Sequence, residues 1–173
     1  MQNKVELEHA RAICRHYDVK LREIDLSFFK DNFKSSLLDG NIVDGASTVV
    51  PFRNAILASI AVGVAASNNI DEVVLANHFS DDATYPDCRR QFISAMSEAA
   101  AYGTDHKVML SSPFCSIAKS EVVSLGKRVG LDFSLTYSCY RGGPVHCGAC
   151  PTCIERKRAF EEAKIEDTTE YLT

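Results

Sequence analysis

The stretch RNAILASIAVGVAASNNIDEVVLAN, residues 53–77, decides the fold. From Ala55 to Ser67 it carries no charge, and Ile56, Leu57, Ile60, Ala61, Val64 and Ala65 recur at helical spacing. The opposite face is mostly Ala, Ser and Gly, so the spacing predicts a helix buried between layers and too short to span a bilayer. Asp71 to Asn77, DEVVLAN, then reads as a buried strand.

Outward from this pair the same alternation continues. Towards the N-terminus, residues 5–17 place Leu7, Ala10, Ile13, Cys14 and Tyr17 on one helical face, and Val19 to Leu26 reads as a short strand. Residues 27–50 are irregular and polar, with Asp39-Gly40 and Asp44-Gly45 as turn signals. Towards the C-terminus, a polar loop at 78–87 precedes a helix over 88–102. Phe92, Met96, Ala99 and Tyr102 share one of its faces, and Gly103 is its stop. A strand follows at Lys107 to Leu110, then a helix at 117–129 with Val122, Leu125 and Val129 inward and Gly130 past its end. A last helix runs over about 151–164. Alternating helices and strands argue for an α/β fold with a parallel sheet covered on both faces. Ligands of such sheets sit at the carboxyl ends of the strands, where the loops beginning at Asn77-His78 and Ser111-Ser112-Pro113 open.

The chain has 173 residues, 46% hydrophobic and 24% charged, enough to bury a core without staples. Nineteen Lys+Arg against 23 Asp+Glu give a net charge of −4, so nucleic acid is not bound by bulk charge. No apolar run is long enough for a membrane span. The start, MQNKVELEHARAICRH, lacks a signal peptide's apolar stretch, so a cytoplasmic location is expected.

Seven Cys is the anomaly. An odd number with one tight cluster argues against a disulfide framework and for metal binding. Cys139-x7-Cys147-x2-Cys150-x2-Cys153 offers four sulfurs, with Gly142, Gly143, Pro144 and Gly148 supplying turns. Such a set suits one structural zinc per chain, with Arg141, Arg156, Lys157 and Arg158 near to offset its charge. An iron–sulfur cluster, a redox Cys pair, and His146 in place of one Cys are the competing readings. Cys14, Cys88 and Cys115 read as small apolar residues rather than nucleophiles.

Three further constellations stand out. Pro51-Phe52-Arg53-Asn54 opens a helix, where an anion is attracted and Arg adds a forked donor set; the bland reading is an ordinary helix start. In Tyr85-Pro86-Asp87-Cys88-Arg89, Asp87 is either an N-cap or a carboxylate that accepts two donors from a guanidine-like edge. Lys119, beside Glu121 in the first turn of its helix, opposes the helix dipole and makes sense if it reaches an anion.

Together, VVPFRN, DEVVLANHFSDDATYPDCRRQF, SPFCSIAKSEVVSLG and CYRGGPVHCGACPTC resemble the 7-cyano-7-deazaguanine synthase (QueC) family in order and spacing, from about Gln2 to Phe160. The resemblance implies an adenine-nucleotide α-hydrolase-like α/β fold of the PP-loop ATP pyrophosphatase group. It implies ATP, with Mg²⁺, as co-substrate for converting 7-carboxy-7-deazaguanine and ammonia to the nitrile. By the same resemblance Arg53, Asn54 and Lys119 would bind nucleotide, Tyr85, Asp87 and Arg89 the deazaguanine, and Cys139, Cys147, Cys150 and Cys153 the zinc.

Family members begin with a strand, an S-G-G-x-D-S phosphate loop and a helix. Residues 1–173 contain no such run, and Met1 resembles a point after the family's second strand. The expectation is therefore an N-terminally incomplete α/β domain over 1–135, lacking its first βαβ unit, and a zinc module with the C-terminal helix over 136–173. On that expectation the phosphate loop comes from elsewhere, a complementing N-terminal fragment or a homodimer is the partner, and nucleic acid and membrane are not. The alternative is a non-catalytic relative that binds a deazapurine or a protein partner through the zinc module.

Overall fold

A computed structural model describes residues 4–39 and 47–172. Gly40 and the Asp44-Gly45 turn signal lie outside the described residues. In chain order the helices and strands are α1 Lys4–His16, α2 Phe29–Asn32, α3 Ser36–Asp39, α4 Arg53–Ser67, β1 Glu72–Val74, α5 Arg90–Gly103, β2 Met109–Ser111, α6 Lys119–Arg128 and α7 Pro151–Ala163. Single 3₁₀ turns sit at Phe79–Asp81, Pro86–Cys88 and Phe133–Leu135. The chain divides into two compact units, one of residues 51–122 and one assembled from 1–50 and 123–173.

The 51–122 unit is a βαβ arrangement. β1 and β2 pair in parallel with Val73 opposite Leu110, and α5 forms the crossover. Val73, Val108 and Leu110 are buried with Ala58, Val62 and Ala65 of α4 and Ile93 and Ala100 of α5. The expected inward faces are met in part: Ala65 is buried, and Ala61, Phe92 and Met96 pack against this core. Leu57 and Tyr102 are exposed while Ala55 and Ala58 are buried. In α6 the buried residue is Val123, and Val129 is 81% exposed. The sheet is shorter than expected, and Val74 and Met109, on the face away from α4 and α5, are 55% and 66% exposed.

The other unit contains α1, whose residues are at most half-buried, and α7, whose Ala159 and Phe160 pack with Val123 and Phe133. His9 Nδ1 lies 2.8 Å from the Leu135 carbonyl, and the Asp132 N–H donates to the Tyr17 hydroxyl at 2.8 Å. The strand expected at Val19 to Leu26 does not form. The segment joins no ladder, and Val19 and Ile24 face solvent. The segment is held by Arg11, whose Nε and Nη2 donate to both oxygens of Glu23 at 2.7 and 2.6 Å.

All five long helices end alike. Asp18, Asn69, Asp105, Gly130 and Lys164 each take a left-handed conformation. The following residue then donates back five positions: Val19 to Cys14, Ile70 to Ala65, His106 to Ala101, Leu131 to Gly126 and Ile165 to Phe160. This pattern satisfies the orphan carbonyls of the last turn. The stop of α5 is thus Asp105, and Gly103 is its last helical residue.

Candidate functional site

The four clustered cysteines converge. Their Sγ atoms all lie within 4.8 Å of one another, and all four residues are buried. The chain delivers them by local means. Cys139 precedes the turn through Gly142 and Gly143, Cys147 precedes Gly148, and Cys150 immediately precedes Pro151, the first residue of α7. Gly142 and Gly148 hold positive φ of 70° and 77°, which a side chain would disfavour. Cys153 lies in the first turn of α7 and is fully buried.

The sulfurs fit a metal. Cys150 and Cys153 are 3.4 Å apart and Cys147 and Cys153 4.0 Å apart. These bracket the ~3.8 Å that tetrahedral geometry requires at a metal–sulfur distance of ~2.3 Å. The Cys147 N–H points at Cys139 Sγ at 3.4 Å and the Cys150 N–H at Cys147 Sγ at 3.3 Å, so the backbone already donates to sulfur. His146 is a neighbour and not a fifth donor. Its Nε2 accepts the Ser138 N–H at 3.0 Å. Burial, then the charge of Arg156, keeps its pKa below the ordinary imidazole value.

Around the cysteines, Arg156 is 5% exposed and is matched by Asp167, with Nη2 to Oδ1 at 3.2 Å. Its Nη1 also donates to the Thr136 hydroxyl at 2.7 Å. The expected offset of cluster charge by Arg156 is therefore already taken by Asp167, and Arg158 is paired with Glu162. Lys157 Nζ sits 4.4 Å above the Tyr171 ring. Burial acts to raise the Asp167 pKa, but hydrogen bonds from the side chains of Tyr171, Arg156 and Thr169 outweigh it and the net direction is down. Residues 170–172 run beside His146, which donates to the Glu170 carbonyl and accepts from the Leu172 N–H.

The remaining expected site residues all belong to the 51–122 unit. Two of them touch. α4 has no side-chain cap of its own, and Phe52 before it is left-handed at φ 59°. The Asp87 carboxylate fills the gap, Oδ2 accepting the Asn54 N–H at 2.8 Å. Asp87 is thus a cap, but of α4, not of the helix that follows it, where no side-chain cap bond forms. The Asn54 side chain donates to the Asp87 carbonyl at 3.2 Å and approaches Cys88 Sγ at 3.2 Å. Burial, then the carboxylates of Asp81 and Asp87, pushes the Cys88 thiol up to about 12, with Arg53 and Asn54 acting weakly the other way. Cys88 is no nucleophile at neutral pH.

Arg89 is exposed, and its Nε donates to the Asp82 carbonyl at 3.1 Å. With Phe79, Ser80, Asp82 and Ala83 it lines an open cavity of about 420 Å³. The Tyr85 N–H donates to the Asp81 carbonyl. The Lys119 N–H donates to Ser80 Oγ at 3.2 Å, and Glu121 reaches back to the Ala118 N–H at 2.8 Å, a side-chain cap for α6. Sequence reasoning marked Asn77 and Ser112 only as loop starts; the structure joins them, with the Ser112 hydroxyl donating to Asn77 Oδ1 at 2.8 Å. His78, expected with Asn77 as the start of that loop, meets Asp81, which was not expected at the site; His78 Nε2 and Asp81 Oδ2 are 3.4 Å apart. Their three-residue spacing was the available signal.

A family model described as "Queuosine biosynthesis protein QueC" matches residues 1–164. The 7-cyano-7-deazaguanine synthase of Porphyromonas gingivalis is 43% identical over 178 residues, which cover 98% of this chain and 81% of that protein. The enzyme of the same name from Desulfotalea psychrophila is 43% identical over 179 residues, covering 98% and 82%. That from Caldicellulosiruptor saccharolyticus is 35% identical over 175 residues, covering 96% and 78%.

Proposed function

The chain belongs to the queuosine biosynthesis protein QueC family, and on that premise we propose that it makes 7-cyano-7-deazaguanine from 7-carboxy-7-deazaguanine, ammonia and ATP. The observation that carries this reading is the family match over residues 1–164, which spans the loops at the carboxyl ends of β1 and β2. In this reading the α/β part, about residues 1–135, has the adenine-nucleotide α-hydrolase fold, and residues 136–173 are a metal module.

Arg53, at the N-terminus of α4, and Lys119, at that of α6, hold the nucleotide phosphates with Mg²⁺, while Asn54, whose N–H and side-chain amide are given to Asp87 and Cys88, fixes the start of α4 beside them. Two helix N-termini supply positive dipole ends, and Arg and Lys add charge. Tyr85, Asp87 and Arg89 hold the deazaguanine. One Asp87 oxygen is committed to the Asn54 N–H, so the other reads the guanine-like edge. Arg89, on the cavity wall, faces the substrate carboxylate. Cys139, Cys147, Cys150 and Cys153 hold zinc. Bound there, zinc supplies fold stability and no chemistry, because four thiolates leave no exchangeable position.

The 173 residues contain no S-G-G-x-D-S run. Its N–H groups would stabilise charge on the reacting phosphate, and losing one such donor costs about 10²–10³ in rate. The test therefore assays 7-carboxy-7-deazaguanine with ATP and ammonium, with the chain alone and with a separate fragment carrying strand, S-G-G-x-D-S loop and helix. Nitrile and pyrophosphate are expected with the fragment and not without it. No nitrile in either arm overturns the reading.

A further inference from the structure

Residues 87 and 88 sit in a turn whose carbonyls are each held by an asparagine from a different element. The Asp87 carbonyl accepts from Asn54 Nδ2 of α4 at 3.2 Å, and the Cys88 carbonyl accepts from Asn77 Nδ2, beyond β1, at 2.9 Å. Asn77 is in turn fixed by Ser112, beyond β2, whose hydroxyl donates to its Oδ1 at 2.8 Å. Because the Cys88 carbonyl can only accept, it fixes which end of the Asn77 amide is donor and leaves Oδ1 to the Ser112 hydroxyl. Asp87 and Cys88 are 7% and 5% exposed, so water is a poor substitute for either amide.

The result is a continuous relay, Ser112 to Asn77 to Cys88 to Asn54 to Asp87, across the carboxyl ends of both strands and the N-terminus of α4. The carbonyls of two successive residues are each held by an asparagine amide, while Tyr85 and Arg89 flank the clamp. We propose that Asn77 is a positioning residue which, held by Ser112, sets the Tyr85–Arg89 segment for the deazaguanine ligand. The proposal rests on the substrate reading above. It adds that affinity for the planar base depends on an amide that need not touch it. A general packing role would weaken every ligand together; this role separates base from nucleotide.

The test compares Asn77→Ala, Asn77→Asp, Ser112→Ala and Ser112→Thr in the full chain. Dissociation constants for 7-carboxy-7-deazaguanine and for ATP are measured by calorimetry with the fragment bearing the S-G-G-x-D-S loop present throughout, and amide exchange is followed across 85–93. Losing one buried hydrogen bond to the turn is expected to weaken deazaguanine binding about tenfold in both Asn77 variants, since Asp keeps the acceptor but loses the donor. ATP affinity should stay within about twofold. Ser112→Ala should fall between, Ser112→Thr should restore binding, and Asn77→Ala with Ser112→Ala should be no worse than Asn77→Ala alone. Exchange should rise at Cys88 and Arg89 and not across β1 and β2. Unchanged deazaguanine affinity, equal loss for both ligands, or exchange rising through the whole 51–122 unit overturns the proposal. If the wild-type chain binds no 7-carboxy-7-deazaguanine, the substrate reading fails instead. The exchange arm then decides alone whether Asn77 holds the turn.

Discussion

At the scale of single residues, Asp167 has the clearest consequence. It is the counter-ion of a buried arginine and accepts from Tyr171 at 2.6 Å. Because the folded carboxyl titrates below its unfolded value, its contribution is complete above the usual carboxylate range and is lost as pH falls through the folded value. Removing one partner of a buried pair leaves the other charge uncompensated, at a cost of about 3–5 kcal/mol. Asp167→Ala is expected to lower stability by about 3 kcal/mol at neutral pH and to flatten the acid side of the stability profile. Urea titrations from pH 3 to 8 measure both; an unchanged acid slope refutes the assignment. Nothing in the sequence linked residues 156 and 167, since on a continuous helix eleven residues would separate the two charges by about 16 Å, and the pairing needs α7 to end at Ala163. Asp87 was half legible. Its capping chemistry could be read, but the helix it caps begins 34 residues upstream, and local pattern carries no information on that contact.

At the scale of elements, the periods were legible and the phases only in part. α4, α5, α6 and α7 begin and end within about two residues of expectation, yet Leu57, Tyr102 and Val129, expected inward on α4, α5 and α6, are exposed. Hydrophobic patterning weights the large side chains, whereas Ala55, Ala58 and Ala65 are among the buried residues of α4. Val19 to Leu26 failed for a different reason: alternation describes a strand only when a neighbouring strand completes its ladder. Helix ends were legible where Gly130 takes the left-handed turn and hidden where Asp18, Asn69, Asp105 and Lys164 do. Left-handed geometry costs a side chain roughly 1–2 kcal/mol, partly offset in a Gly variant by greater unfolded-state freedom. Lys164→Gly is therefore expected to stabilise by about 0.5–1 kcal/mol, read as a raised urea midpoint. A lowered midpoint would mean that the Lys164 side chain contributes more than its backbone strain costs.

At the scale of the whole molecule, the cysteine spacing carried the most information, because C-x2-C steps fix ligand geometry within one short loop. The proposed zinc gives a direct measurement. One equivalent per chain is expected by elemental analysis, and Cys150→Ser should lose it and raise amide exchange over 139–160 while leaving the 51–122 unit protected. Iron, or less than about half an equivalent of zinc, refutes the assignment. No helix among the described residues is long and apolar enough to cross a membrane. One of the two compact units is built from two distant stretches of chain. That discontinuity bears on how the protein is made. Synthesis runs from the N-terminus, so the 51–122 unit has all its residues as soon as Val122 leaves the ribosome. The first fifty residues have not: α1 waits for Asp132 and Leu135, which anchor Tyr17 and His9. Arg156 waits for Asp167. During translation this earlier-made stretch is thus left unfinished, and Phe29, Leu38 and Val50, buried once the unit closes, stay available meanwhile to any chaperone that attends nascent chains.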